Sequence, residues 1–232
     1  MDFIKVDNCY YLWDNATFSD KENARYTYAP NIRGIKLYDA AGNICLSVTA
    51  PPYLTGPVGK VVNDSYVTGI GTFDGTGPDH SPVGILSSEL QIPLDKDLSG
   101  ACILEVEYAT GKEEGCGQWL QVAVSAGQNK TYAYDDLLPE TNSAESFTWS
   151  MPITLNLRAG AKTLRLMNHR RQENTLCSYA ALLEGLQEAD PENKVLLSLC
   201  EWGKTQPQNW GYKVGCSWRI LNDITFQVGS DG

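Results

Sequence analysis

Apolar and polar positions alternate in several short runs through the middle of the chain. Ala101-Cys-Ile-Leu-Glu-Val-Glu-Tyr-Ala109, Trp119-Leu-Gln-Val-Ala-Val124, Ile153-Thr-Leu-Asn-Leu157 and Thr163-Leu-Arg-Leu-Met167 follow this pattern. A period of two is that of a strand with one buried face. Gly, Pro, Asn and Asp separate the runs, so residues 31–168 are predicted to form an antiparallel sandwich or barrel. The stretch 68–82 reads as a long Gly-rich loop. It has no lysine and no helix behind it, so it is not a phosphate-binding loop.

The two ends of the chain follow a different grammar. Apolar residues at 179, 182, 183 and 186 have the spacing i, i+3, i+4, i+7, which predicts an amphipathic helix over 178–189. Asp190-Pro191 ends it. Val195-Leu-Leu-Ser-Leu-Cys200 is a continuous apolar run, as expected of a strand buried on both faces. Asp2-Phe-Ile-Lys-Val-Asp7 is a second short strand, ending in a carboxylate. A helix followed by a buried strand is α/β grammar. The simplest arrangement is an all-β module inserted into an α/β domain. The opening strand needs neighbours, either from later in the chain or from a longer protein.

Length and charge narrow the choice. A chain of 232 residues makes one large domain or two small ones. The net charge of −10 argues against nucleic acid and against an anionic membrane surface as partners. No apolar run approaches the roughly 18 residues of a membrane-spanning helix. The opening residues lack the basic and apolar regions of a secretory leader. Seven cysteines, an odd number, occur with no CxxC pair, and His80 and His169 are the two histidines. A zinc or dithiol redox site is therefore not expected.

Three clusters near the ends carry candidate chemistry: Lys5-Val-Asp7-Asn8-Cys9, then Cys200-Glu201-Trp202-Gly203 followed by Trp210-Gly211, then Trp218-Arg219-Ile-Leu-Asn222-Asp223. The first two fall at or just past the carboxyl ends of predicted parallel strands, the edge that holds the active site in a (β/α) barrel. Two carboxylates there suit glycoside hydrolysis: one attacks the anomeric carbon and the other protonates the leaving oxygen. Tryptophan faces stack on sugar C–H faces, and Lys and Arg donate to hydroxyls. Ordinary surface carboxylates at strand ends give the same pattern.

The residue order within these clusters adds to the reading. Asp2-Phe-Ile-Lys-Val-Asp-Asn-Cys9 resembles the nucleophile strand of family 27 glycoside hydrolases, the α-galactosidase or melibiase group of clan D. Leu199-Cys-Glu-Trp-Gly203, Trp210-Gly-Tyr-Lys-Val-Gly215 and Ser217-Trp-Arg-Ile-Leu-Asn-Asp-Ile224 resemble the next two strands of that family, in the same order. The resemblance implies a retaining exo-glycosidase acting on terminal α-D-galactosyl residues, with Asp7 as nucleophile and Asp223 as acid and then base. It implies that Lys5, Cys200, Trp202 and Arg219 bind the sugar, and that catalysis needs no cofactor. Glu201 points away from Cys200 and Trp202 in an alternating strand and is expected to be structural. Asn8 and Trp218 are expected to support the site, and Cys9 often pairs in this family with an upstream cysteine that this chain lacks.

The departures are large. Asp7 and Asp223 lie 216 positions apart, and the family's earlier strands, including an Asp-Asp-Gly-Trp motif, are missing. The expected fold is thus a fragment of a (β/α)8 barrel, interrupted by an antiparallel β-sandwich and completed by barrel segments upstream and downstream. Residues 1–30 would form one barrel segment, 31–174 the inserted sandwich and 175–232 a second barrel segment.

The insert, over about 60–168, resembles a family 6 or family 35 carbohydrate-binding module, a jelly roll. That resemblance implies sugar binding through loop aromatics, with Trp119, Tyr132, Tyr134 and Trp149 as candidate platforms. For any one of them, packing in the core or at a sheet edge is the expected role. Asp135-Asp136 and Glu105/Glu107 could coordinate a structural calcium or simply be solvated. His169-Arg-Arg171 reads as a junction that pairs with nearby acids. Alternative readings are a non-catalytic galactoside-binding module, or a β-L-arabinopyranosidase or α-N-acetylgalactosaminidase of the same clan. Family analogy favours a secreted or cell-surface protein.

Overall fold

Alternation along the central strands builds two facing sheets. In the computed structural model, residues 2–7, 28–49, 53–56, 58–76, 82–94, 98, 100–111, 116–157, 159–201 and 207–220 are described. Among them the chain begins β1 (Asp2–Asp7), β2 (Asn31–Asp39), β3 (Ile44–Thr49), β4 (Leu54–Thr55), β5 (Lys60–Val62), β6 (Tyr66–Thr68), β7 (Gly71–Thr76) and β8 (Pro82–Pro93). It continues β9 (Ala101–Ala109), β10 (Trp119–Ala126), β11 (Asn129–Leu137), β12 (Thr148–Trp149), β13 (Ile153–Thr154) and β14 (Thr163–Met167). Last come helix α1 (Arg170–Ala189), β15 (Val195–Cys200), 3-10 turns at Pro207–Asn209 and Gly211–Lys213, and β16 (Ser217–Trp218).

The chain divides into two compact units. Met1–Phe18, Asp74–Ile85 and Gln172–Gly232 form one, and Ser19–Phe73 with Leu86–Arg171 form the other. The second unit is mostly antiparallel. One sheet runs β11-β10-β14-β8-β4, with β7 on β8. The other runs β12-β9-β2-β6-β5, with β13 on β9 and β3 on β2. On β9, Leu104, Val106 and Tyr108 are buried while Glu105 and Glu107 sit on the other face. A single cluster joins Ile32, Ile35, Leu104 and Val106 of one sheet to Ile92, Leu120, Leu164 and Leu166 of the other. Two sheets sharing one apolar layer define a β-sandwich. The outward carboxylates of β9 are engaged by neighbours across the strand: Arg33 donates to Glu107 at 2.6 Å and the Tyr38 hydroxyl to Glu105 at 2.7 Å.

The first unit follows α/β rules. Its sheet, β1-β15-β16, is parallel throughout, with Asp7 opposite Cys200 and Leu199 opposite Trp218. Parallel neighbours require a long crossover, and here α1 is the last part of it. Tyr179 and partly buried Leu176, Ala180, Leu183 and Leu186 of α1 pack with Leu197, Leu199, Trp210 and Val214. The helix stops where Asp190-Pro191 forbids its continuation. Asp190 then turns the chain by accepting the Val195 amide at 2.8 Å.

Two expectations are corrected. The helix begins at Arg170, eight residues ahead of the predicted start, where the Asn168 side chain accepts the Arg170 amide. Gly71–Thr76, within the expected loop, is a strand.

Candidate functional site

The carboxyl edge of the parallel sheet collects the candidate residues of the chain's ends. Asp7 closes β1, and its register partner Cys200 closes β15. Arg219 follows β16 immediately: its amide donates to the Leu199 carbonyl at 3.1 Å, and its Nη1 lies 3.9 Å from the Cys200 Sγ. Three adjacent strands thus present a carboxylate, a thiol and a guanidinium in one row, which at normal strand spacing extends about 10 Å. Asp7 is exposed, Cys200 buried and Arg219 intermediate. Lys5, also exposed, sits two positions before Asp7, opposite Ser198. Glu201 is fully buried beside this edge. Asn8, Cys9, His80, Trp202, Gly203, Asn222 and Asp223 lie outside the described residues.

A residue that the sequence marks only as part of an apolar helix face stitches the edge together. Tyr179 is 1% exposed. Its hydroxyl donates to the Val6 carbonyl at 3.0 Å and accepts from the Cys200 amide at 3.2 Å. One side chain thereby fixes the backbone on both sides of the Asp7–Cys200 pair. No periodicity reveals this, because Tyr fits an apolar stripe as well as Leu does. Ser217 donates to Ser198 at 2.9 Å and ties β16 to β15.

The aromatic candidates of the sandwich do not converge. Trp119 and Tyr134 belong to one sheet and Trp149 to the other. Trp119 is 8% exposed, its Nε1 donates to Asp135 at 2.5 Å, and the Arg170 guanidinium lies 4.0 Å from its ring centroid. Arg170 also pairs with Asp135. The ring is therefore enclosed, and the geometry supports packing. Trp149 lies over the strand at Gly34, where a Cβ would come within 3.4 Å of its ring, and Lys36 sits 4.2 Å from its centroid. Tyr134 packs against the core; burial, then the neighbouring Asp136, raises its hydroxyl pKa. Tyr132 is the exposed member of the set, at 39%.

The carboxylates considered for calcium fit a cation poorly. Asp135 and Glu107 each face a guanidinium, Glu105 accepts from Tyr38, and Asp136 accepts the Leu137 amide at 2.7 Å. Among the described residues, no three His, Cys, Asp or Glu side chains are grouped to hold a metal ion. No helix among them is long and apolar enough to cross a membrane.

The sandwich also holds a buried polar cluster, of which the sequence singles out His169 alone, in the junction run His169-Arg-Arg171. Arg165 forks onto Glu89 at 2.6 and 2.5 Å. Burial raises the Glu89 pKa, but the bonds from Arg165 and nearby positive charge more than offset this and leave it below its ordinary value. His169 is buried next along, its amide held by Gln121 at 2.5 Å. Burial, against the pull of Glu89, pushes its imidazole from 6.5 down to about 4.

A parallel strand edge bearing a carboxylate defines an α/β type of site, and comparison with known proteins narrows it. The chain is 39% identical over 51 residues to alpha-galactosidase A of Cellvibrio japonicus (strain Ueda107), a match covering 22% of this chain and 12% of that protein. It is 33% identical over 55 residues to probable alpha-galactosidase B of Talaromyces emersonii, covering 24% and 12%. To an alpha-galactosidase of Oryza sativa subsp. japonica it is 47% identical over 36 residues, covering 16% and 9%. The matches thus span about a tenth of these curated relatives. They link part of the chain to glycoside hydrolases. No protein-family model matches the chain, and no solved structure does.

Proposed function

We propose that this chain carries the nucleophile edge of a retaining exo-glycosidase that hydrolyses terminal α-D-galactosyl residues. The observation that carries the reading is the row Asp7–Cys200–Arg219 at the carboxyl ends of three parallel strands, taken with the local similarity to alpha-galactosidases. In this reading β1, α1, β15 and β16 belong to a (β/α)8 barrel of the family 27 type, and the sandwich is inserted into it. The rest of the barrel lies in a longer protein.

The chemistry derives from the residues. The Asp7 carboxylate attacks the anomeric carbon as the glycosidic C–O bond breaks, and Asp223 gives its proton to the departing oxygen. Asp223 then takes a proton from water, whose oxygen displaces Asp7 and releases the sugar with retained configuration. Lys5, Trp202 and Arg219 hold hydroxyls and the sugar face, and the Cys200 thiol lines the pocket.

Aryl α-galactosides test the roles in the protein that contains this chain. Asp7→Asn abolishes their hydrolysis. Replacing Asp223 by Ala abolishes hydrolysis of substrates with poor leaving groups, but spares the first step for leaving groups that need no proton. Full activity of the Asp7→Asn protein removes the nucleophile assignment.

A further inference from the structure

Backbone directions along β15 show what the Tyr179 hydroxyl is joined to. In a parallel strand the N–H and C=O of one residue face one neighbour, and those of the next residue face the other. The Leu197 and Leu199 carbonyls accept from the Cys216 and Arg219 amides at 2.9 and 3.1 Å, on the β16 side. Ser198 and Cys200 therefore turn their backbone groups toward β1. With Asp7 opposite Cys200, the partner of the Cys200 N–H across the ladder is the Val6 carbonyl. The Tyr179 hydroxyl bonds both groups, accepting from the amide at 3.2 Å and donating to the carbonyl at 3.0 Å. A helix side chain is thus built into a rung of the sheet, at the end where both strands stop.

The place of this rung gives it a consequence for chemistry. The Val6 carbonyl belongs to the peptide that carries the Asp7 amide, so holding it fixes the plane from which Asp7 projects. Asp7 is exposed and is the last residue of β1. Tyr179 is buried in the layer between α1 and the sheet, packed with Leu197, Leu199 and Trp210, its ring centroid 6.1 Å from that of Trp210. It acts on Asp7 through the backbone and touches no sugar. A nucleophile attacks from about 3–3.5 Å, and a misplacement of about 1 Å can cost on the order of 100-fold in rate. Two residues assigned to the sugar are anchored elsewhere. The Arg219 amide is held by the Leu199 carbonyl, and Lys5 lies two positions earlier, opposite Ser198. Loss of the hydroxyl should therefore weaken attack and spare sugar binding.

We infer that Tyr179 is a positioning residue, which sets the reach of the Asp7 carboxylate through the Val6–Cys200 rung. The inference rests on the reading of Asp7 as nucleophile. Its test compares Tyr179→Phe, which removes one oxygen and keeps the ring, with Leu183→Ala, a packing change on the same face of α1. Both are made in the protein that contains this chain. The readouts are kcat/KM for an aryl α-galactoside and the inhibition constant of D-galactose, each per folded protein from circular dichroism at the assay temperature. Tyr179→Phe should lower kcat/KM by about 10- to 100-fold and change the galactose constant by less than about threefold. Leu183→Ala should leave both within about threefold of native. Native kcat/KM in Tyr179→Phe overturns the inference. So does a galactose constant that weakens in step with kcat/KM, which would mark lost binding, or an equal loss in Leu183→Ala, which would mark general loosening of the helix. Asp7→Asn, assayed alongside, separates the two claims. Activity that survives in Asp7→Asn removes the nucleophile reading and this inference with it. An inactive Asp7→Asn beside a fully active Tyr179→Phe removes the inference alone.

Discussion

Lowering the pH from 7 to 5 should destabilise the sandwich through His169. Its imidazole is buried and held near a pKa of about 4, against 6.5 when the chain is unfolded. Glu89 faces it as an attraction, and Lys130 and Arg165 as repulsions. A depressed folded pKa gives stability that is full above 6.5 and lost as the pH falls toward 4, because below 6.5 the unfolded state binds the proton first. Integrating between pH 7 and pH 5 gives a loss of about 2 kcal/mol. The lowered carboxyl of Glu89 works in the same direction, but it takes effect below its ordinary value near 4.5 and adds little at pH 5. Urea unfolding at both pH values, with pulse hydrogen exchange at β10 and β14, reads the sandwich unit directly. The His169→Gln protein is the reference, since it keeps every other titrating group. The native protein should lose about 2 kcal/mol more than the variant between the two pH values. Equal losses in both would refute the reasoning, whatever their absolute stabilities.

Three further outcomes rest on the same geometry. Arg165→Met leaves the buried Glu89 carboxylate without its fork and should cost about 3 kcal/mol in urea unfolding. Adding Glu89→Leu should restore most of that, and failure to do so would show that the pair is not the cause. Tyr179→Phe removes the hydroxyl between Val6 and Cys200. It should lower the stability of the α/β unit by about 1–3 kcal/mol, read by hydrogen exchange at β15. Gly56→Ala should cost at least about 3 kcal/mol. Its φ is +90°, and a Cβ there would fall 1.9 Å from the Ser87 carbonyl oxygen; a thermal midpoint unchanged by this substitution would contradict the backbone path.

What the chain discloses about its fold depends on how purely each element obeys one period. β14 and β15 coincide with the predicted 163–167 and 195–200, because one alternates and the other is continuously apolar. The first turns of α1, Arg170-Arg-Gln-Glu-Asn-Thr, are polar and carry no stripe, so the helix start is invisible in the sequence. β2 escapes notice because Arg33, Gly34 and Lys36 interrupt its apolar positions. Those residues are used on the outer face, by Glu107 and beneath Trp149. β11 is rich in polar and exposed residues and bulged, which breaks a period of two. The row Asp7–Cys200–Arg219 is legible as three separate strand ends. Its assembly needs the register of a parallel sheet, which no local pattern encodes. Composition cannot separate a tryptophan that stacks on sugar from one, like Trp119, enclosed by Asp135 and Arg170.

The most direct measurement is to trap the covalent intermediate. The protein that contains this chain would be incubated with a fluorinated α-galactosyl substrate that glycosylates faster than it hydrolyses, then digested and mapped by mass spectrometry. The proposed mechanism places the galactosyl label on Asp7, in the peptide that includes Phe3-Ile-Lys-Val-Asp7, and predicts its disappearance in Asp7→Asn. A label on another carboxylate, or turnover of α-galactosides by the Asp7→Asn protein at the native rate, would contradict it.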